Sequence, residues 1–144
     1  MKLSSTENHA TSHANDAGTF HSTCFVCGHE NAQGIRLQLR REGRSVKGEV
    51  LIDSRFEGYT DVVHGGVIAS LLDAAMVHSV RGLCGKDPFT CRLDLRFYHE
   101  TRTGQRLVVV GHVKSRRGKL CWAEGELFSG ETRCAKAEGV FRLV

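Results

Sequence analysis

The sequence predicts an α+β domain in which an antiparallel sheet of six strands curls around one long central helix. Three observations predict it. Six runs alternate apolar and polar side chains with a period of two, and one run, VVHGGVIASLLDAAMVHS from Val62 to Ser79, is apolar on nearly every face. The order of these runs is strand, strand, helix and four strands, which leaves one helix for one sheet.

The first twenty residues are polar, so residues 1–20 are expected to form a tail that packs nothing and residues 21–144 a single domain. GIRLQLRREG then sets Ile35, Leu37 and Leu39 against Arg36, Gln38 and Arg40. SVKGEVLID repeats the pattern with Val46, Gly48, Val50 and Ile52 on one face, after a turn at Glu42-Gly43. The helix is expected from His64 to Arg81, ended by Gly82 or Gly85 and by Pro88. TCRLDLRFYHE directs Cys91, Leu93, Leu95 and Phe97 inward, and QRLVVVGHVK does so with Leu107, Val109, Gly111 and Val113. The last two runs present small residues, Cys121, Ala123 and Gly125 on one, Ala135, Ala137 and Gly139 on the other, so that a helix can lie close against them. Trp122, Glu124, Glu126, Lys136 and Arg142 are left to solvent, as is the KSRRGK turn from Lys114 to Lys119.

Composition narrows the function. A chain of 144 residues with 40% hydrophobic and 25% charged content makes one domain with a real core. Its net charge of +4 is scattered along strands, which argues against a nucleic-acid partner. No secretory leader is evident and no later segment is read as approaching the length needed to span a bilayer, so a cytoplasmic protein without membrane contact is expected, its six cysteines reduced. G-x-S-x-G, P-loop and G-x-G-x-x-G motifs are all missing, which removes the main support for the chemistries they carry.

What remains is His64-Gly65-Gly66 at a helix start, with Asp73 as the only carboxylate of the apolar run. The first N–H groups of a helix have no internal partner and sit at its positive end. Glycine there lets a ligand approach the backbone, and a carbonyl oxygen that gains negative charge during attack would be stabilised by such a donor. A buried carboxylate is costly, so Asp73 is either catalytic or satisfied by a structural partner such as Ser70, Arg92 or Arg96. A Gly-Gly pair can also be plain helix punctuation.

VVHGGVIASLLDAAM, preceded by Glu57-Gly58-Tyr59 and by CFVCGHENAQGIRLQL, resembles hotdog-fold acyl-CoA thioesterases of the phenylacetate-pathway type, in the 4-hydroxybenzoyl-CoA thioesterase superfamily. The resemblance covers residues 24–144. It implies hydrolysis of an acyl or aryl thioester to a carboxylic acid and free coenzyme A, with no separate cofactor, since coenzyme A is part of the substrate. It implies Gly65 as the N–H that polarises the thioester carbonyl, Asp73 as nucleophile or general base, and His64 as the residue that shapes the helix start. Gly66, Gly58, Tyr59 and Ser70 are the expected substrate-binding positions. It also implies a homodimer with shared active sites, or a tetramer. Relatives carry Asn or Gln where this chain has Gly58, a polar helper where it has Val77, and Arg-Pro where it has His99-Glu100, so Glu57, Asp61 or Ser70 are candidates to substitute. The alternative function is a hotdog module that binds acyl-CoA without turnover. His21-x2-Cys24-x2-Cys27-x-His29 has zinc-ligand spacing, but one C-x-x-C with flanking histidines is weak, and no metal is assigned from sequence.

Overall fold

The computed structural model describes residues 21–144, so the expected tail at 1–20 lies outside the described residues. Its strands are β1 (Gln38–Glu42), β2 (Ser45–Leu51), β3 (Pro88–Phe97), β4 (Arg106–Arg117), β5 (Leu120–Ser129) and β6 (Thr132–Leu143), with a 3-10 turn (Ser54–Phe56) and one α-helix, α1 (Gly65–Cys84), between β2 and β3. They form one antiparallel sheet in the order β1-β2-β4-β5-β6-β3, wrapped around α1.

His64 caps the start of α1, and Gly85 at φ +68° caps its end while donating its N–H to Arg81 O. Of the two glycines expected to stop the helix, Gly85 does so, because its left-handed φ costs glycine little. The helix therefore runs to Cys84, past the expected Arg81. At 20 residues it is long and apolar enough to cross a membrane, which corrects the sequence-based view that no segment approaches that length. Here its apolar sides meet the sheet instead.

Close approach of helix to sheet depends on missing side chains. A Cβ at Gly111 of β4 would sit 2.4 Å from Ala75 O of α1, and one at Gly125 of β5 would sit 3.2 Å from the Leu72 side chain. The backbones thus meet where Leu71, Leu72, Ala75 and Met76, each 0% exposed, fill the core. Burial of each of the larger three contributes about 2 kcal/mol by apolar transfer.

Strand β3 departs from expectation. Leu93 and Leu95 pack against the core, but Phe97 is 53% exposed and Cys91 is exposed too. The pairing of β3 with β6 shifts between Thr90 and Arg92, and Cys91 is the unpaired residue of that bulge. Below the bulge the facing alternates out of phase, so Thr90 turns towards the helix. β3 is also an edge of the sheet, so no strand among the described residues covers its outer side. On the convex face, Trp122, Glu124, Glu126 and Lys136 are half-buried and only Arg142 is open, a correction to their expected exposure. Glu124 is surrounded by Lys114 Nζ at 2.8 Å, His112 Nε2 at 3.2 Å and Lys136 Nζ at 3.6 Å. The hydrogen bond from Lys114 first, and then the charge of Lys136, holds its carboxyl below the usual range.

Candidate active site

The start of α1 has one donor to spare. His64 Nδ1 accepts the Gly66 N–H at 2.8 Å, and His64 O accepts those of Val67 and Ile68 at 2.9 and 3.1 Å. The Gly65 N–H meets no acceptor among the described residues. It sits at the positive end of the helix. A Cβ on Gly65 would lie 3.8 Å from the Phe97 ring, so the end of β3 flanks this donor. A cavity of about 300 Å³ covers the same corner, lined by Val62, Gly65, Ile68, Phe97, Tyr98 and Thr101 among others. Thr101 is 1% exposed and its Oγ1 has no hydrogen-bond partner among the described residues. Nothing in the sequence marked Thr101.

The loop before the helix is held by its own backbone. Gly58 N–H donates to Val62 O at 2.9 Å, Val62 N–H to Tyr59 O at 2.9 Å and His64 N–H to Phe56 O at 2.9 Å. A Cβ at Gly58 would lie 3.4 Å from His64 Cα, so the loop packs against the capping histidine at ordinary contact distance. Glu57 Oε2 accepts the N–H of Asp61, whose φ is +63°, and Ser70 Oγ donates to Gly66 O at 2.8 Å. Of the three proposed substitutes, the Glu57 and Ser70 side chains are thereby engaged in holding the loop and the helix, and Asp61 takes part through its backbone N–H. Tyr59 is 86% exposed and stands apart from the cavity; of the aromatic residues, Phe97 and Tyr98 reach it.

Asp73 is half-buried in the middle of α1, and its partner is none of those expected from sequence. Ser70 bonds back to Gly66, and Arg92 pairs with Asp94 at 2.9 Å. Instead Thr90 Oγ1 donates to Asp73 Oδ1 at 2.9 Å, a contact that the bulge in β3 creates. Burial raises the Asp73 pKa above the ordinary carboxylate value, opposed by the Thr90 bond and by His21. Asp73 and Gly65 are eight residues apart on one straight helix, hence about 12 Å along its axis. One chain does not bring them together on a single carbonyl.

A second cluster lies beyond Asp73. His21, Cys24 and Cys27 place ligand atoms within 4.8 Å of one another. His78, buried on α1, brings Nε2 to 3.3 Å from Cys27 Sγ. His29 is outside the group, beside Glu30 at 3.9 Å. Burial, and then the neighbouring Cys24, pushes the Cys27 thiol up to about 12, while burial pushes His78 down to about 4.

Residues 60–136, more than half of the chain, match the model of the thioesterase superfamily. The chain belongs to that superfamily. Its six-stranded antiparallel sheet around one long helix is the hotdog fold expected from the sequence. An uncharacterised protein of Schizosaccharomyces pombe is 31% identical over 90 residues, 58% of this chain and 51% of that protein. The chain thus spans about half the length of the curated relative it matches. A thioesterase superfamily protein of known crystal structure is 28% identical with a TM-score of 0.78, over 84% of this chain and 60% of the other. A hypothetical thioesterase from Streptococcus pneumoniae, crystallised with coenzyme A, superposes with a TM-score of 0.69 at 18% identity, over 75% of this thioesterase superfamily member and 86% of that chain.

Proposed function

We propose that this protein is an acyl-CoA thioesterase that hydrolyses an acyl or aryl thioester to a carboxylic acid and free coenzyme A. The observation that carries the reading is Asp73, a desolvated carboxylate in an apolar helix, held by one hydroxyl and set beside an uncovered sheet edge. A module that only bound an apolar chain would gain nothing from this costly group. The coenzyme A in the S. pneumoniae structure supports the substrate class.

The site is completed by a second copy of the chain. Along β3, Thr90 marks the Asp73 end and Phe97 the Gly65 end. If two β3 edges pair antiparallel about a two-fold axis near the middle of the strand, the Thr90 end of one lies beside the Phe97 end of the other. Asp73 of one protomer then faces the partner's Gly65 N–H, one group to attack or activate water and the other to stabilise the oxyanion. Phe89 and Phe97, 58% and 53% exposed, supply apolar surface on that edge. His64 orients the donor through its bond to the adjacent Gly66 N–H.

The test is a panel of acyl-CoA esters of varied length and aromaticity, with release of free thiol measured for the parent and for Asp73→Asn. Asp73→Asn is expected to lower kcat by about 10²–10⁴ on the best ester. An unchanged rate on that ester removes Asp73 from the chemistry, and no release from any ester by the parent removes the function.

A further inference from the structure

We propose that Cys24, Cys27, His21 and His78 form a tetrahedral zinc site that clips the N-terminal segment onto the central helix. Three of the four ligand atoms are already gathered within 4.8 Å of one another. At ordinary zinc bond lengths, tetrahedral coordination separates a sulfur from a nitrogen by about 3.6 Å and two sulfurs by about 3.8 Å. Cys27 Sγ lies 3.9 Å from His21 Nδ1 and 3.3 Å from His78 Nε2, on either side of that value. The two imidazoles meet edge to face with ring centroids 5.8 Å apart, an arrangement that lets both direct a nitrogen at one point.

The backbone of the segment is folded as a metal-binding turn requires, independently of the side-chain distances. Cys24 N–H donates to His21 O at 3.0 Å, and Gly28 N–H to Cys24 O at 2.8 Å. The Val26 N–H points at Cys24 Sγ at 3.4 Å, where it would support thiolate charge. The turn is so tight that a Cβ at Gly28 would lie 2.4 Å from Cys24 N and 2.5 Å from Ser22 O. Glycine is the residue that permits it.

The donor set selects the metal. Two thiolates and two imidazoles in a tetrahedron suit zinc, and hard cations that prefer oxygen are excluded. On binding, each cysteine releases one proton to solvent, so two thiolates balance one Zn²⁺ and the half-buried site is neutral. With four protein ligands the site is closed and therefore structural. His78 replaces His29, the fourth ligand that sequence spacing offered. The clip joins the segment that leads into β1, where Leu37 N–H donates to Val26 O at 2.8 Å, to the helix that carries Asp73.

The experiment uses the full chain, expressed without a metal-binding tag, reduced, and loaded with zinc or cobalt. One zinc per chain is expected by elemental analysis. The cobalt form is expected to show thiolate-to-metal charge transfer and the intense visible bands of a tetrahedral site. Cys27→Ser should lose both signals, His78→Gln should weaken zinc binding by about tenfold or more, and His29→Gln should leave it unchanged. Circular dichroism checks that each variant is folded, and the parent's cobalt spectrum decides the matter if a variant is not. Zinc no higher than in the Cys27→Ser protein, a parent cobalt spectrum without charge transfer, or a Cys24–Cys27 disulfide that forms despite added zinc would each overturn the proposal. Equal weakening by His29→Gln and His78→Gln would overturn the assignment of His78. None of these readouts depends on thioesterase activity.

Discussion

Thr90 Oγ1 donates to Asp73 Oδ1 across 2.9 Å, so a residue near the start of an edge strand tempers the ionisation of the one carboxylate in the central helix. The bond lowers the Asp73 pKa while burial raises it, and burial dominates. Thr90→Val removes the lowering influence only. The acid limb of the kcat/KM profile should therefore move to higher pH, whereas Thr90→Ser should leave it in place. A profile in Thr90→Val that does not move would disconnect Thr90 from the working carboxylate.

The same pKa makes a stability prediction with a definite sign. Because the folded Asp73 pKa lies above its unfolded value, its contribution to stability is present below the ordinary carboxylate range and is lost as pH rises through the folded pKa. Asp73→Asn does not ionise and escapes that loss. Urea unfolding should find Asp73→Asn more stable than the parent at neutral pH, by about 1 kcal/mol, and the difference should shrink in acid. A variant less stable at neutral pH than in acid, relative to the parent, contradicts the assignment.

Shared sites predict complementation. Asp73→Ala removes the carboxylate, and Gly65→Pro removes the helix-terminal donor at a position where proline is tolerated. Each homodimer should be inactive. A heterodimer holds one doubly broken site and one intact site, so co-refolding the two should restore activity. Native mass spectrometry that finds folded heterodimers in an inactive mixture would return the site to a single chain.

The helix–sheet contact can be tested at Gly111. Its absent Cβ would lie 2.4 Å from Ala75 O and 2.5 Å from Ala75 C, backbone atoms that cannot rotate aside. Gly111→Ala should cost about 1–3 kcal/mol in denaturant unfolding, as over-packing does elsewhere. By contrast, Gly82→Ala, whose Cβ would meet only the end of the Arg41 side chain at 3.5 Å, should be nearly neutral or stabilising.

Much of this architecture is legible in the chain because periodicity is local. Leu107, Val109, Gly111 and Val113 recur at every second position whatever they pack against, and their inward facing is observed. The helix is legible for the same reason, down to Gly85 as one of two stop signals. Thr90 was hidden because one unpaired residue, Cys91, inverts the alternation below it, and a bulge has no sequence period. His78 was hidden differently. On an apolar helix it reads as a core residue, and its neighbour Cys27 is separated from it by 51 positions. Thr101 depends on tertiary placement as well, since its hydroxyl is buried by elements that only the fold assembles. Contacts of long sequence separation are what a linear pattern does not carry.

The uncovered edge of β3 also bears on the life of the newly made chain. Before the proposed pairing with a second copy, this edge would expose a row of backbone donors and acceptors flanked by Phe89 and Phe97, a template that any extended peptide could join. Arg92, Asp94 and Arg96 lie between those aromatic residues and are exposed to solvent. Charges of both signs on such a strand are costly to bury against an apolar stranger. Such charges would discourage promiscuous association along the edge. Replacing its charges with valine would be expected to trade soluble yield for precipitate during expression, without loss of a single contact inside the folded domain.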